Sequence, residues 1–146
     1  MFTTNHAATA FVIALSVKQP ELVIPLSFAS HFALDALPHF GRHPQIKAFN
    51  QAFKRVLAID SGLALLLAAT AALIWSDQLW LLAAASIAAT LPDMLWLFEA
   101  KLDRYPPLYR FFTFHHQIQW GERPNGLIYE LPWLALMLGL LASLRP

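Results

Sequence analysis

Two long apolar stretches constrain this chain more than any other feature of its sequence. Ala58 to Trp75 and Gln78 to Phe98 flank a turn at Ser76-Asp77, and each is close to the ~20 residues that a helix needs to cross a bilayer. Hydrophobic residues make up 58% of the chain and charged residues only 13%, whereas soluble domains average about a quarter charged. This composition argues against a disordered chain, a nucleic-acid-binding module and an ordinary cytosolic enzyme. We predict a single integral membrane domain over residues 1–146.

Three further apolar stretches complete the predicted bundle: Ala7 to Val17, Glu21 to Leu37 and Gly126 to Leu144. The first is short for a bilayer, and the first two together favour a tight helical hairpin that either spans the membrane or dips into it. Residues able to cap a helix precede the first stretch, namely Thr3, Thr4 and Asn5. The predicted fold class is therefore all-α, an integral membrane bundle of about five apolar helices plus one or two interfacial amphipathic helices.

Two polar and aromatic segments suit the membrane surface. Gln45 to Leu57 has apolar residues at helical spacing between basic ones, which is typical of a helix lying along the headgroups or of a soluble amphipathic helix packed on the domain. Pro106 to Trp120 is predicted as a helix begun by its prolines. Most basic residues fall in these two polar regions and their flanks, so we expect both to be cytoplasmic. They are Arg42, Lys47, Lys54, Arg55, Lys101, Arg104, Arg110 and Arg123.

Acids and histidines enter the apolar stretches without any lysine or arginine. They are His31, Asp35, Asp60, Asp93 and Glu130, with His6 and His39 at the edges and His115 and His116 in the last polar region. A charged group in lipid costs ~2.5 to 3.5 kcal/mol, so such groups normally face a cavity or a partner. Traced through alternating helices, all of them fall in the cytoplasmic half. The positive charge that balances these carboxylates could come from a metal cation, from protons or from arginines of the loops that fold back toward them.

The strongest local pattern is His31, Asp35 and His39, spaced i, i+4, i+8. At 100° per residue these side chains lie within about 80° on one helix face. Two histidines and a carboxylate suit a divalent cation such as zinc or manganese, and the chain has no cysteine to offer instead. The alternatives are a buried hydrogen bond between His31 and Asp35, and a surface position for His39.

Other candidates have simpler alternatives. Asp93 follows Pro92. A proline bends a helix, and binding sites are often built at such bends. The alternative is that the aspartate accepts hydrogen bonds from the backbone that the proline exposes. Asp60 is either a site residue or part of the N-terminal cap region of the third span. Glu130 is either a base or a partner of Arg123.

The remaining histidines are a late adjacent pair and one near the start. His115 and His116 point about 100° apart on a helix, so both would rarely bind one ion; either each serves one of two ions, or one binds and the other orients a carboxylate. His6 alone would be read as structural. Its predicted depth matches that of the other candidates.

Several of these motifs, in this order, resemble the predicted membrane-bound metal-dependent hydrolases, a group that includes inner-membrane proteins described as LexA-binding hydrolases. The motifs are Thr4-Asn5-His6, the run from Ser30 to His39, Leu91-Pro92-Asp93 and His115-His116. The chain is similar to a distant member of that family. The resemblance implies a metal site that includes His6, Asp93 and one of the late histidines.

These residues suggest a mechanism for a hydrolase with one or two divalent ions. An ion held by the acids and histidines lowers the pKa of bound water toward ~7 and polarises a phosphoryl or ester oxygen. Asp60 or Glu130 could accept the water's proton, and a phosphate could be held by Arg42, Lys47 and Arg110. The expected substrate is a lipid or lipid-linked phosphoester, since the site lies at headgroup depth. The alternatives are a noncatalytic membrane scaffold and a small metal-ion or proton transporter.

Overall fold

Seven α-helices account for most of the described chain, which in this computed structural model comprises residues 1–42, 46 and 50–145. They are α1 (Thr3–Val17), α2 (Pro20–Asp35), α3 (Gln51–Ile74), α4 (Leu79–Trp96), α5 (Glu99–Leu102), α6 (Pro106–Ile118) and α7 (Leu127–Ser143). Two 3-10 turns, Ser76–Gln78 and Gln119–Gly121, precede α4 and follow α6. Two-residue strands, β1 (His39–Phe40) and β2 (Glu122–Arg123), complete the described elements. The predicted all-α class is confirmed.

The first helix lies at the centre of the bundle. α1 packs against α2, α3, α4 and α7. Its Ala8, Ala10 and Ala14 are completely buried, and such small side chains let neighbouring helix backbones approach closely. On the half of α1 away from its start, Phe11 and Leu15 join the apolar core. The start of α1 is consequently surrounded by the ends of several helices, where the acids and histidines lie.

The helix caps differ from the prediction at α1. The three residues expected to cap this helix lie inside it, and the residue at the cap position is Phe2, which makes no side-chain cap bond. The amides of Phe2, Thr3 and Thr4 at the start of α1 are bonded instead to the carboxylates of Asp60 and Glu130. These carboxylates come from α3 and α7, so the cap is supplied by tertiary packing.

The third helix is continuous where two elements were predicted. α3 begins at Gln51, is capped by the Asn50 side chain accepting from the Phe53 amide at 2.8 Å, and ends at Ile74. The proposed boundary between Leu57 and Ala58 does not exist, because neither proline nor glycine interrupts the helix there. The start of the predicted interfacial segment, residues 45 and 47–49, lies outside the described residues.

Two helices are long and apolar enough to cross a membrane by length and composition. They are Gln51–Ile74, with a mean hydropathy of 2.1, and Ser76–Trp96, with 1.4. Only 11% and 28% of their most apolar windows are buried in the bundle. Large side chains such as Leu65 and Leu73 are 71% and 86% exposed. The chain thus presents an extensive apolar outer surface along α3 and α4, and α7 is a shorter apolar helix.

A short parallel strand pair, not predicted from the sequence, joins the segments that follow α2 and α6. His39 pairs with Glu122 and Phe40 with Arg123. The start of α7 lies against β1 at Gly126, where a Cβ atom would come within 2.1 Å of the His39 carbonyl carbon. This close approach requires glycine, and it fixes the start of α7 beside the end of α2.

Replacing Gly126 with alanine should therefore destabilise the fold. Overpacking of this kind costs ~1 to 3 kcal/mol, and we expect a lower thermal unfolding temperature in detergent micelles. Gly139→Ala is the matched control, because a Cβ there meets nothing within 4 Å and alanine favours a helix by up to ~1 kcal/mol. Equal unfolding temperatures for the two variants would contradict the close packing at Gly126.

Candidate metal centre

Four side chains from three helices converge at the end of the bundle where α1 begins. His31 and Asp35 come from α2, Asp93 from α4 and His115 from α6, and one ligand atom of each lies within 4.8 Å of the others. His31, Asp35 and His115 are buried. The Asp93 side chain is 34% exposed, so it forms the accessible edge. We call these four residues the cluster.

The distances inside the cluster match those between neighbouring ligands of one ion. His31 Nε2 lies 3.0 Å from His115 Nε2, 3.3 Å from Asp35 Oδ2 and 3.7 Å from Asp93 Oδ1. His115 Nε2 lies 3.4 Å from Asp35 Oδ2 and 3.5 Å from Asp93 Oδ1. In a tetrahedral zinc site with bonds of ~2.1 Å, neighbouring ligand atoms lie ~3.4 Å apart. The donor set and its spacing therefore fit a divalent cation.

The hydrogen bonds of His31 support the same assignment. Its Nδ1 lies 2.8 Å from the Ala89 carbonyl oxygen, and a carbonyl only accepts, so Nδ1 carries the hydrogen. In the neutral ring Nε2 then has a free lone pair that faces both carboxylates. A hydrogen bond from the outer nitrogen to a carbonyl is the usual support of a metal-binding histidine. Ala89 lies one turn before Pro92, the proline that interrupts the bonding of α4.

A glutamine that was not predicted from the sequence as a site residue completes the surroundings of Asp35. Gln119 Nε2 donates to Asp35 Oδ2 at 3.1 Å and lies 3.4 Å from His115 Nε2. Its spacing of i+4 from His115 is the signal that could have identified it, because the two residues share one face of α6 and the turn that follows. Gln119 orients the carboxylate from outside the cluster.

His6 lies beside the cluster on α1. Its ring stacks on that of His31, with centroids 4.3 Å apart. Its Nε2 lies 3.2 Å from Asp35 Oδ1 and 4.0 Å from Asp93 Oδ2. The ring is completely buried. His6 therefore adjoins both carboxylates on the side away from His115.

The structure separates the two late histidines and leaves His39 outside the four-residue group. His116 is exposed and contacts Glu99 at 3.2 Å, as expected for a neighbour pointing about 100° from His115. His39 is buried in β1, beyond the end of α2, and its Nδ1 donates to the Leu37 carbonyl at 2.8 Å. Burial lowers the pKa of the His39 imidazole, so this ring is neutral at pH 7.

Asp60 is engaged as a helix cap. Its Oδ2 accepts from the Thr3 amide at 2.8 Å, and its Oδ1 accepts from the Thr4 amide at 3.0 Å and the Thr4 hydroxyl at 2.7 Å. These are first-turn amides of α1, which a helix cannot satisfy itself. Asp60 lies inside α3, so it caps a neighbouring helix and not its own. Both of its oxygens are occupied by these three hydrogen bonds, so the contacts of Asp60 are structural ones at the start of α1.

Glu130 holds three chain segments together and lies outside the cluster. Its Oε2 accepts from the Phe2 amide and from Asn5 Nδ2, each at 2.9 Å. Its Oε1 accepts from the Phe40 amide at 2.9 Å. The carboxylate is buried and bonded to donors on both oxygens. Its contacts are those of a structural brace, and the predicted pairing with Arg123 is not among them.

The predicted phosphate-binding residues have different positions. Arg42 is 63% exposed, contacts Glu122 Oε2 at 3.1 Å and lines a cavity that reaches the cluster. Arg110 is exposed on α6 and is not among the residues that line this cavity. Lys47 lies outside the described residues.

This cavity has a volume of about 390 Å³ and opens beside Asp93. Its wall is mostly apolar, and the side chains that determine its character include Phe2, Phe53, Val56, Leu57, Met94 and Trp96. Asp93 belongs to both the cavity wall and the cluster. A ligand in the cavity would consequently contact a mostly apolar wall and a cluster carboxylate.

Comparison of this chain with models of known families, with curated proteins and with solved structures finds no match.

Proposed function

We propose that this chain is a membrane-embedded, metal-dependent hydrolase that cleaves a phosphoester or lipid-linked substrate at the cytoplasmic face. The observation that carries the proposal is the cluster, in which two imidazole nitrogens and two carboxylate oxygens lie at ligand spacing. Such a donor set suits zinc or manganese. The motif resemblance to membrane-bound metal-dependent hydrolases supports the same class.

The chain's own residues would prepare the site for this chemistry. A bound divalent cation supplies a Lewis acid and a water of lowered pKa. The Ala89 carbonyl orients His31, and Gln119 orients Asp35, so the ligand atoms are positioned before substrate enters. Asp60 and Glu130 act as positioning residues, because they fix the start of α1 beside the cluster.

The proposed membrane location rests on the outer surface of the bundle. Many large apolar side chains of α3 and α4, such as Leu65, Leu73 and Ile87, are exposed, and apolar surface on this scale marks contact with lipid or another protein. α1, α2 and α7 would complete a bundle of about five membrane helices around them. The arginines and lysines near the cluster end of the bundle favour a cytoplasmic orientation for the site.

The cavity supports a lipid-linked substrate over a soluble metabolite. Its mostly apolar wall would accommodate an acyl or prenyl chain, and Asp93 in that wall would bring the polar linkage beside the cluster. Arg42, at the same cavity, could hold a phosphate group. Its present partner is the carboxylate of Glu122, which a substrate phosphate would displace.

Comparison of His115→Ala with His116→Ala tests the proposal. Phospholipid in mixed micelles should be hydrolysed by the wild-type protein with added Zn²⁺ or Mn²⁺, and the rate should fall at least ~100-fold in His115→Ala, because a ligand is lost. His116→Ala changes an adjacent residue of the same type that lies outside the cluster, and it should retain the wild-type rate. Hydrolysis is measured as released headgroup or fatty acid.

Two outcomes would reject the hydrolase. Phospholipid hydrolysis that survives alanine at both His31 and Asp93 would show that the cluster is not the active site. Metal binding without hydrolysis of any phosphoester or ester lipid, combined with proteoliposome uptake of the same metal, would favour a transporter.

A further inference from the structure

The two oxygens of Asp35 face different histidines. Oδ2 lies 3.3 Å from His31 Nε2 and 3.4 Å from His115 Nε2. Oδ1 lies 3.2 Å from His6 Nε2. A carboxylate that offers each oxygen to a separate set of nitrogen donors is arranged to bridge two positions.

Asp93 repeats this division. Its Oδ1 lies 3.7 Å from His31 Nε2 and 3.5 Å from His115 Nε2, whereas its Oδ2 lies 4.0 Å from His6 Nε2. The same pair of histidines therefore adjoins one oxygen of each aspartate, and His6 adjoins the other. Two carboxylates from different helices divide their oxygens in the same way.

His6 is itself unexplained by the four-residue cluster. The side chain is completely buried, and neither ring nitrogen has a hydrogen-bond partner among the described residues. A buried polar group without a partner costs ~1 to 3 kcal/mol. The Met1 amino group lies 2.5 Å from the same Asp35 Oδ1, so an ion on the His6 side would replace this ammonium as the partner of that oxygen. A cation on the His6 side would satisfy Nε2 and the two facing oxygens together.

We infer that Asp35 and Asp93 bridge two divalent metal ions, one bound by His31 and His115 and the other by His6. The inference rests on the proposed metal-dependent hydrolase and specifies the construction of its site. The rings of His6 and His31 stack with centroids 4.3 Å apart, so the two proposed ion positions are adjacent, as the ions are in two-metal hydrolytic sites.

The two positions differ in what the chain provides. The first has four donors, two nitrogens and two oxygens, which is a complete tetrahedral set. The second has three, namely His6 Nε2, Asp35 Oδ1 and Asp93 Oδ2. Three protein donors with a vacant fourth position are typical of a catalytic site, which keeps room for water or substrate. The exposed edge of Asp93 at the cavity gives that position a route of access.

Counting bound Mn²⁺ tests this inference independently of activity. A chelator removes metal from the detergent-purified protein, which is then titrated with Mn²⁺. The amount of bound Mn²⁺ and its electron paramagnetic resonance spectrum are both recorded. The wild-type protein should bind two equivalents and give a spin-coupled signal. His6→Ala should bind one equivalent and give the six-line signal of an isolated ion, and His116→Ala should behave as the wild type. His6→Gln, which keeps a polar side chain of similar size, serves if His6→Ala does not fold.

The outcomes separate this inference from the proposed function. One equivalent in the wild-type protein, or two equivalents in every folded His6 variant, would overturn the bridged pair, and phospholipid hydrolysis by that protein would leave the hydrolase standing. Two coupled ions lost on substitution of His6 would support the pair even where the phospholipid is not hydrolysed. No bound metal in the wild-type protein would overturn both.

Discussion

Alanine at Asp35 is expected to abolish divalent-metal binding. This carboxylate contacts His6, His31 and His115, at 3.2, 3.3 and 3.4 Å, so its removal eliminates a ligand from every proposed metal position. Loss of a residue that only orients a ligand costs 10- to 100-fold in affinity. We therefore expect a loss of more than ~100-fold for Asp35→Ala, measured by elemental analysis and Zn²⁺ titration of the purified protein.

Two further variants make this result interpretable. Asp35→Asn keeps the size of the side chain and removes its charge, and it should also lose most of the affinity because a neutral amide is a weak ligand. Asp77→Ala removes an exposed carboxylate in the turn before α4, at the opposite end of that helix from Asp93, and should bind metal as the wild type does. Wild-type affinity in a folded Asp35→Ala protein would rule out the cluster as a metal centre.

Replacement of Glu130 is expected to destabilise the protein more than any other single change considered. Its carboxylate accepts from Phe2, Asn5 and Phe40, and alanine would remove the acceptor of all three hydrogen bonds. At ~1 kcal/mol or more for each donor, the free energy of unfolding should fall by about 3 kcal/mol or more. Thermal unfolding in detergent, followed by circular dichroism, measures the loss.

The Glu130→Gln variant distinguishes a structural role of Glu130 from the general-base role predicted from the sequence. If the role is structural, the variant protein is less stable, because the glutamine side chain has one acceptor oxygen and cannot accept hydrogen bonds from donors on both sides. A general base would instead keep the unfolding temperature and lose hydrolysis. Glu21→Gln, an exposed position at the start of α2, is the control and should leave both properties unchanged.

The residues that meet at the cluster were the most predictable part of the site. Consecutive apolar helices run in opposite directions, so the end of α2, the end of α4 and the start of α1 must lie at the same end of the bundle. This argument placed His6, His31, Asp35 and Asp93 together without knowledge of the packing. The choice between His115 and His116 was not available from it, because the rotation of α6 decides which of two adjacent side chains faces inward.

The roles of Asp60 and Glu130 were not predictable in the same way. Their partners lie at the start of α1, separated from them by 57 and 128 residues at Thr3 and Phe2. A sequence pattern reports which residues share a helix face, whereas these bonds depend on how α1 sits between α3 and α7. The pairing of β1 with β2 and the contact of Gln119 with Asp35 likewise arise between segments that no local pattern connects.

The central place of α1 also determines when its first residues can be fixed in position during synthesis. α1 is made first among the seven helices, yet Glu130, which ties its first residues in place, belongs to the helix made last. Contacts of such large sequence separation form late in folding. The contacts of Glu130 with the start of α1 therefore form only after α7 has been added, and a ribosome-bound chain that ends before α7 would hold the acids and histidines without them.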